Sequence, residues 1–344
     1  MKLSFGEKND PVDKALTHLL EVMGEDIRRP HIVRDMIIAA LKAGQEDDGR
    51  VDLKLMSTTL KEMRYTSKIF SSYRNLKKVT VFGSARTPKD RNIYQIACGL
   101  GKKLASHGYM VITGGGPGIM QAVNEGAGRE KSFGVSIRLP FEQKSNVVLD
   151  GDPKNIMYKY FFNRKVAFLK ESDAIVLFPG GFGTMDEGME TLTLLQTGKR
   201  NPMPLIFIDE PGGHYWRNWF DLCKDELLAG GYVSDSDFHL FEIVDSIDAA
   251  VEKIDRFYYR YHSLRYLQGK LLLRLTSEIK PAKIDDLKVK FADILTENGD
   301  IILSGPLPEE INEPEISHLP RLVIDFNLND FGRLKFLIDE INRD

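Results

Sequence analysis

The sequence predicts an α/β protein built on a doubly wound parallel sheet, because short apolar runs alternate with helix-length segments from residue 78 to about residue 262. The runs are apolar at consecutive positions, as expected for strands that helices cover on both faces of the sheet. Glycine-rich stretches follow several of the runs, and ligands of such sheets bind beyond the carboxyl ends of the strands. A ligand site is therefore expected at that edge.

The predicted central domain covers residues 76–264 and contains alternating strands and helices. The predicted strands are KVTVFGS, YMVITGGG, FGVSIRL, DAIVLFPGG, PLIFID and FHLFEIV. The predicted helices cover residues 92–107, 118–128, 155–171, 184–197, 215–229 and 246–261.

The two flanking regions have different patterns. Residues 1–75 carry apolar residues at three- and four-residue spacing, which predicts a small helical extension. Residues 265–344 contain KLLLRLTSE, NGDIILSG and RLVIDFNL, which alternate in period two before a last helix, DFGRLKFLIDEIN. This region is predicted to be a small α+β appendage, which could form an oligomer interface or bind an effector.

Composition limits the functional classes. The net charge of -3 gives no overall basic field, so nucleic acid is not expected as a partner. Cys98 and Cys223 lack the spacing of a zinc site or a disulfide framework and suit a reducing compartment. The N terminus has no apolar signal core, and no run approaches the roughly 18 residues of a membrane span. We expect a cytoplasmic protein without a membrane partner.

Two glycine loops each follow a predicted strand and open a helix: GGGPGIMQA at 114–122 and PGGFGTMDE at 179–187. Neither fits the dinucleotide-binding fingerprint or the Walker A pattern. Glycines at a helix start let an anion approach the free N–H groups, where the helix dipole favours negative charge. Alternatively, the glycines only make tight turns between strand and helix.

Carboxylates follow the second loop. Thr184 and Glu187 have the spacing of a capping box, and Asp186 could complement the helix dipole. Alternatively, Glu187 and Glu190 share one helix face beside the loop. They would suit a ligand with a phosphate at one end and a centre that becomes cationic, such as the N-glycosidic bond of a nucleoside monophosphate. A metal at Asp186 and Glu190 has weak support, and none is predicted.

Arg164 in YFFNRKVAFL lies on the preceding predicted helix. It could be a solvated surface arginine, or its fork of donors could bridge phosphate or sugar hydroxyls. Lys165 is adjacent, but neighbours on a helix point about 100° apart, so it need not face the same site.

The motifs GGGPGIM, NRK and PGGFGTMDE resemble those of the LOG (LONELY GUY) family, which is often mislabelled lysine decarboxylase. The resemblance covers roughly residues 76–262, and Pro117 and Ile119 resemble the longer bacterial members rather than the plant-type ones. It implies a Rossmann-like fold and phosphoribohydrolase activity, in which a nucleoside 5′-monophosphate is hydrolysed to free base and ribose 5-phosphate. Family members are commonly dimers or larger, so it also implies a homo-oligomer.

The resemblance implies site residues as well. Arg164 and Glu187 match the catalytic arginine and glutamate. The matching substrate-binding positions are Ser84, Gly115, Gly116, Gly180, Gly181, Gly183, Thr184 and Glu190.

The identity of the base and one alternative function stay open. Candidates to enclose a base are apolar and are more often plain core residues; they are Met120, Met157, Phe161 and Phe162. No cofactor is expected, since amino acid decarboxylation needs an electron sink such as pyridoxal phosphate on a lysine, and no such context is visible. The alternative is a protein that carries a phosphorylated cofactor, such as molybdenum cofactor, without hydrolysing it.

Overall fold

The computed structural model describes residues 11–46, 49–138 and 145–343, and it divides into two compact units, Met1–Tyr65 and Thr66–Asp344. Three helices occupy the N-terminal region: α1 (Pro11–Met23), α2 (Pro30–Glu46) and α3 (Arg50–Ser71). The helical extension is thus confirmed, while its residues 1–10 lie outside the described part. Within the first unit Leu16 and Ile38 are buried, and Arg34 pairs with Asp13 at 2.6 Å.

A seven-stranded sheet forms the centre of the second unit. Its strands are β1 (Lys78–Phe82), β2 (Met110–Thr113), β3 (Ser132–Ile137), β4 (Asn155–Tyr158), β5 (Ala174–Leu177), β6 (Leu205–Ile208) and β7 (Glu242–Val244). The spatial order is β4-β3-β2-β1-β5-β6-β7, and every neighbouring pair is parallel. The predicted fold class is therefore confirmed. The order reverses between β1 and β5, which is where ligands of such sheets bind.

Helices connect the strands and supply the apolar residues that cover them. They are α4 (Asn92–Ser106), α5 (Ile119–Ala127), α6 (Phe161–Glu171), α7 (Phe182–Gln196), α8 (Tyr215–Leu222) and α9 (Ile247–Phe257). Val79, Val111 and Val176 of the central strands are fully buried, and each such side chain contributes about 1.5–3 kcal/mol. Among the described residues, no helix has the length and hydropathy needed to cross a bilayer.

Two of the predicted elements of this domain are wrong. Residues 155–171 form β4 followed by α6, not one helix. Because β4 is a short edge strand buried only at alternate positions, its few apolar residues merge with the pattern of the next helix. The stretch FHLFEIV is not one strand, since Asp235–Leu240 is a 3₁₀ helix, at whose start the Asp237 carboxylate accepts from the Ser234 N–H at 2.8 Å. Only Glu242–Val244 of that stretch pairs in the sheet.

A second, antiparallel sheet follows and confirms the α+β appendage. Its order is β10-β11-β9-β8. The strands and helices are β8 (Tyr261–Leu267), β9 (Lys270–Leu275), α10 (Pro281–Lys290), β10 (Ile301–Ser304), β11 (Arg321–Ile324) and α11 (Phe331–Ile341). The sequence prediction missed β8, an edge strand with mixed polarity, and α10, while the predicted domain boundaries at 75 and 264 stay predictions. Apolar residues of both helices and the sheet share one core.

An ion pair is buried in this second sheet. Arg321 of β11 has no exposed surface, and its Nε donates to Oε2 of Glu310 at 3.0 Å. Arg274 of β9 donates to the other carboxylate oxygen at 2.9 Å. Burial by itself would raise the pKa of Glu310, but the Leu307 N–H and both guanidinium groups lower it to about 2. The pair anchors the segment before β11 to the sheet.

We expect Arg321→Ala to lower the free energy of unfolding by about 3 kcal/mol, because it leaves Glu310 buried with only Arg274 as its cation. Urea denaturation at neutral pH measures this. The control is Lys288→Ala, which breaks the more exposed pair with Asp300 and should change stability by less than about 1 kcal/mol. Equal effects of the two substitutions would contradict the role of the buried pair.

Candidate active site

A cavity of about 800 Å³ opens at the carboxyl edge of the parallel sheet, where the strand order reverses. Nearly all of the predicted site residues line it together: Ser84, Gly115, Gly116, Arg164, Gly180, Gly181, Gly183, Thr184 and Glu187. Glu190 does not line the cavity; its carboxylate contacts Lys165 instead. The sheet thus brings residues from distant parts of the sequence to one site.

The backbone of Ser84, just beyond β1, joins the two glycine loops. Its N–H donates to the carbonyl of Pro179 at 3.1 Å, and its carbonyl accepts from the N–H of Ile119 at 3.0 Å. Gly118 permits this approach, because its φ is +68° and a Cβ there would lie 2.3 Å from the Ser84 carbonyl oxygen. The three loops are therefore held in one arrangement.

The GGGPG loop has structural reasons for its glycines. Gly115 has φ +72°, and an added Cβ would lie 2.2 Å from the hydroxyl of Ser136. Its carbonyl accepts from the N–H of Asn146 at 2.8 Å. Here the expectation that glycines make a tight turn accounts for the loop, whether or not it also contacts a ligand.

The PGGFG loop is different. Gly180 packs against Thr184, and its carbonyl accepts from the Tyr215 hydroxyl at 2.6 Å. At Gly181 and Gly183, however, an added Cβ would find no described atom within 4 Å, and neither backbone is left-handed. The described fold does not require glycine at these two positions. Their missing side chains leave the N terminus of α7 open to the cavity, which suits close approach by an anion.

Of the two interpretations of Glu187, the capping box with Thr184 is not formed. Helix α7 begins at Phe182 with Gly181 at the N-cap, and no side chain caps it. The carbonyl of Gly181 already accepts from the N–H groups of Thr184 and Met185, so the helix starts before Thr184. Because Glu187 does not reach back to the cap, its carboxylate is available for other contacts.

Glu187 is buried between two cations. One carboxylate oxygen lies 3.7 Å from Nη2 of Arg164, and the other lies 3.6 Å from Nζ of Lys165. Burial raises the pKa of Glu187 above its usual range; the two cations oppose this rise, while Glu190 and Asp186 add to it. A buried carboxylate with a raised pKa in a cavity is a common property of catalytic residues.

Arg164 has one N–H donor that pairs with no described residue. Burial lowers its pKa, and Glu187 opposes that effect. Its guanidinium carbon lies 5.2 Å from the ring centre of Phe161 and 5.4 Å from that of Phe168. Within the described residues its Nε is buried without a hydrogen-bond partner. Such a donor costs free energy unless a ligand or water pairs with it.

Lys165 faces the carboxylates of α7, although the sequence left its direction open. Its Nζ lies 2.7 Å from both Asp186 and Glu190, in addition to Glu187. Burial would lower the pKa of Lys165, but the hydrogen bonds to Asp186 and Glu190 raise it. The two outer carboxylates thus hold the ammonium beside Glu187. No group of three or more metal-ligating side chains is arranged for a metal in the described ranges.

Apolar side chains also line the cavity. Met120, Met157 and Phe161 line the cavity as predicted for a base-binding wall, whereas Phe162 stacks on Tyr160 at 5.3 Å and does not line it. Several further lining residues were not predicted: Arg86, Ser136, Ser145, Phe182 and Tyr215. Phe182 lies inside the PGGFGTMDE motif, and Arg86 lies two residues after the predicted Ser84, so both could have been found from the sequence. The others belong to no motif.

We expect Lys165→Met to raise the pKa of Glu187 further, because a cation 3.6 Å away is lost while two neighbouring carboxylates remain. Carbon-13 NMR titration of the Glu187 carboxyl, assigned with Glu187→Gln, measures this. The control is Lys170→Met on the same helix, since Lys170 pairs with Glu171 and not with Glu187. A lowered or unchanged pKa would contradict the arrangement.

Known proteins resemble this region. Residues 120–254 match the family model described as "Possible lysine decarboxylase". The chain is 27% identical over 187 residues to a protein of Oryza sativa subsp. japonica, "Probable cytokinin riboside 5'-monophosphate phosphoribohydrolase LOGL9", covering 53% of this chain and 78% of that protein. It is 28% identical over 171 residues to the "Cytokinin riboside 5'-monophosphate phosphoribohydrolase" of Mycobacterium tuberculosis, covering 48% and 88%.

Among solved structures, the chain is similar to the molybdenum cofactor carrier protein MCP from Chlamydomonas reinhardtii, with 21% identity and a TM-score of 0.37. That similarity covers 53% of this chain and 97% of the other. The family match includes Arg164, the PGGFGT loop and Glu187, the residues on which the resemblance was based. The central region of this chain is therefore similar to proteins of the LOG family.

Proposed function

We propose that this protein hydrolyses the N-glycosidic bond of nucleoside 5′-monophosphates and releases the free base and ribose 5-phosphate. One observation carries the proposal: the cavity combines an open helix N terminus with the buried carboxylate of Glu187, which is paired with Arg164. The names of the relatives support the same reaction type, at 27–28% identity.

The phosphate would bind at the Gly180–Thr184 loop. The N–H groups of Phe182 and Gly183 precede the first hydrogen bond of α7, which Thr184 makes to the Gly181 carbonyl, and the helix dipole favours an anion there. Gly181 and Gly183 leave this backbone uncovered. The ribose would then extend toward Arg164 and Glu187, whose side chains line the same cavity.

Glu187 would act where positive charge develops. As the C1′–N bond breaks, its electron pair leaves with the base and the sugar becomes an oxocarbenium-like cation, which a carboxylate stabilises. Water bonds to C1′ through its oxygen, and Glu187 would accept a proton from it before that proton reaches the departing base. A raised pKa favours this exchange of a proton near neutral pH. The unpaired Nε of Arg164 would donate to the sugar or phosphate.

The proposal also concerns which base the cavity would accept. Met120, Met157 and Phe161 offer an apolar wall for a planar ring, and cytokinin riboside monophosphates and ordinary purine or pyrimidine nucleotides would all fit that chemistry. A homo-oligomeric, cytoplasmic enzyme without a cofactor stays our prediction for the setting of this activity.

We expect release of ribose 5-phosphate from at least one of AMP, GMP, CMP and isopentenyl-AMP, and Glu187→Gln should lower kcat by about 100-fold or more. A coupled assay for ribose 5-phosphate, with chromatography of the base, measures both. Glu252→Gln is the matched control, because Glu252 is exposed on α9 and lies outside the cavity. If the unaltered protein binds these nucleotides but cleaves none, the non-hydrolytic carrier of a phosphorylated cofactor becomes the better proposal.

The pH dependence gives a separate prediction. Because the reactive form of Glu187 is the carboxylate and its pKa is raised, kcat/KM should fall as the pH drops through a value above the usual glutamate range. A pH–rate profile measures the midpoint of that acid limb. A midpoint below the usual glutamate range would contradict the role of Glu187.

A further inference from the structure

Arg86 is a charged cavity residue that neither the motifs nor the proposed chemistry uses. It follows β1 in the stretch FGSAR, two residues after Ser84. Its backbone N–H donates to the hydroxyl of Ser84 at 3.1 Å, which closes a tight turn. Because the Ser84 backbone is bonded to Pro179 and Ile119, the turn that carries Arg86 is fixed beside both glycine loops.

Among the described charged side chains that line the cavity, Arg86 differs from the others because it lacks a partner of opposite charge. Arg164 lies 3.7 Å from Glu187, so the positive and negative charges of these two lining residues compensate each other. The nearby Lys165 has three carboxylates around it. The side chain of Arg86, by contrast, makes no hydrogen bond or ion pair with any described residue, and it is exposed. Among the described residues that line the cavity, Arg86 is therefore a guanidinium without a compensating charge, near the loop proposed to bind phosphate.

An unpaired exposed arginine is ordinary on a protein surface, where water solvates it. The position of Arg86 differs, because the open N terminus of α7 lines the same cavity. The helix dipole places roughly half a positive charge at that helix end, so a phosphate dianion bound there would keep about 1.5 negative charges. A guanidinium offsets most of this remaining charge and binds two phosphate oxygens through parallel N–H groups.

We infer that Arg86 determines specificity for the phosphate group: it binds the 5′-phosphate and restricts the cavity to phosphorylated ribosides. The inference rests on the proposed function for the location of the phosphate. Neutral nucleosides would lose this contact and bind poorly, although they carry the same base and sugar. The product ribose 5-phosphate would keep the contact and compete with the substrate.

Binding of ribose 5-phosphate to the full chain tests the inference without requiring turnover. Isothermal titration calorimetry should show that Arg86→Gln weakens binding of ribose 5-phosphate by about 10- to 100-fold, as expected for a lost charge-assisted contact. Arg86→Lys should be intermediate, because it keeps the charge but not the paired donors. Ribose, which lacks the phosphate, should bind all these forms equally weakly. Higher salt should weaken binding to the unaltered protein more than to Arg86→Gln.

The matched control is Arg91→Gln. Arg91 also lies between β1 and α4 and carries the same charge, but it does not line the cavity. It should leave the affinity for ribose 5-phosphate unchanged. Thermal unfolding of each variant shows whether the fold is retained; Arg86→Lys still tests the inference if Arg86→Gln unfolds.

The outcomes separate this inference from the proposed function. If no nucleotide is cleaved but ribose 5-phosphate binding depends on Arg86, the hydrolase proposal fails and the inference stands. If nucleotides are cleaved and Arg86→Gln leaves KM and ribose 5-phosphate affinity unchanged, the inference is overturned and the hydrolase stands. Absence of any phosphate-dependent binding by the unaltered protein would also overturn it.

Discussion

The hydrogen bonds made by the Ser84 backbone hold the candidate site together. Ser84 lies two residues beyond the end of β1. Its N–H donates to the Pro179 carbonyl at 3.1 Å, and its carbonyl accepts from the Ile119 N–H at 3.0 Å. The contact with Pro179 crosses the point between β1 and β5 where the strand order reverses, which otherwise leaves a crevice between neighbouring connections. The left-handed backbone of Gly118 makes the close approach possible. The cavity walls, the α7 terminus and Arg86 all depend on this junction.

A second constraint is the cost of burying Glu187. Taking a carboxylate out of water costs several kcal/mol unless cations and hydrogen bonds compensate for it. Arg164 and Lys165 both lie within 4 Å of it, while Asp186 and Glu190 hold Lys165 in place. This explains why carboxylates follow so closely after a loop suited to an anion. Two of them position a cation, and the third faces the cavity.

The local pattern of apolar residues predicted the central strands of the fold but not its edge strands. Central strands such as β1 and β5 are apolar at consecutive positions because helices cover both faces, and that pattern is visible in the sequence. Edge strands β4 and β8 are only partly buried, so their pattern is weak and was missed. The helix start at Phe182 was misplaced, because the Gly181 carbonyl, and not the Thr184 side chain, begins the hydrogen-bonded turn.

The sequence by itself determined the parallel α/β class, the two glycine loops and the pairing of Arg164 with Glu187 as candidates, since periodicity and motif spacing are local properties. Only the tertiary structure decided that Lys165 faces three carboxylates, that Glu190 lies outside the cavity and that Arg86 lies inside it. Those outcomes depend on how α6, α7 and the β1 connection pack against one another. A side chain's direction and its charge partners are set by residues far away in the chain, which no local pattern contains.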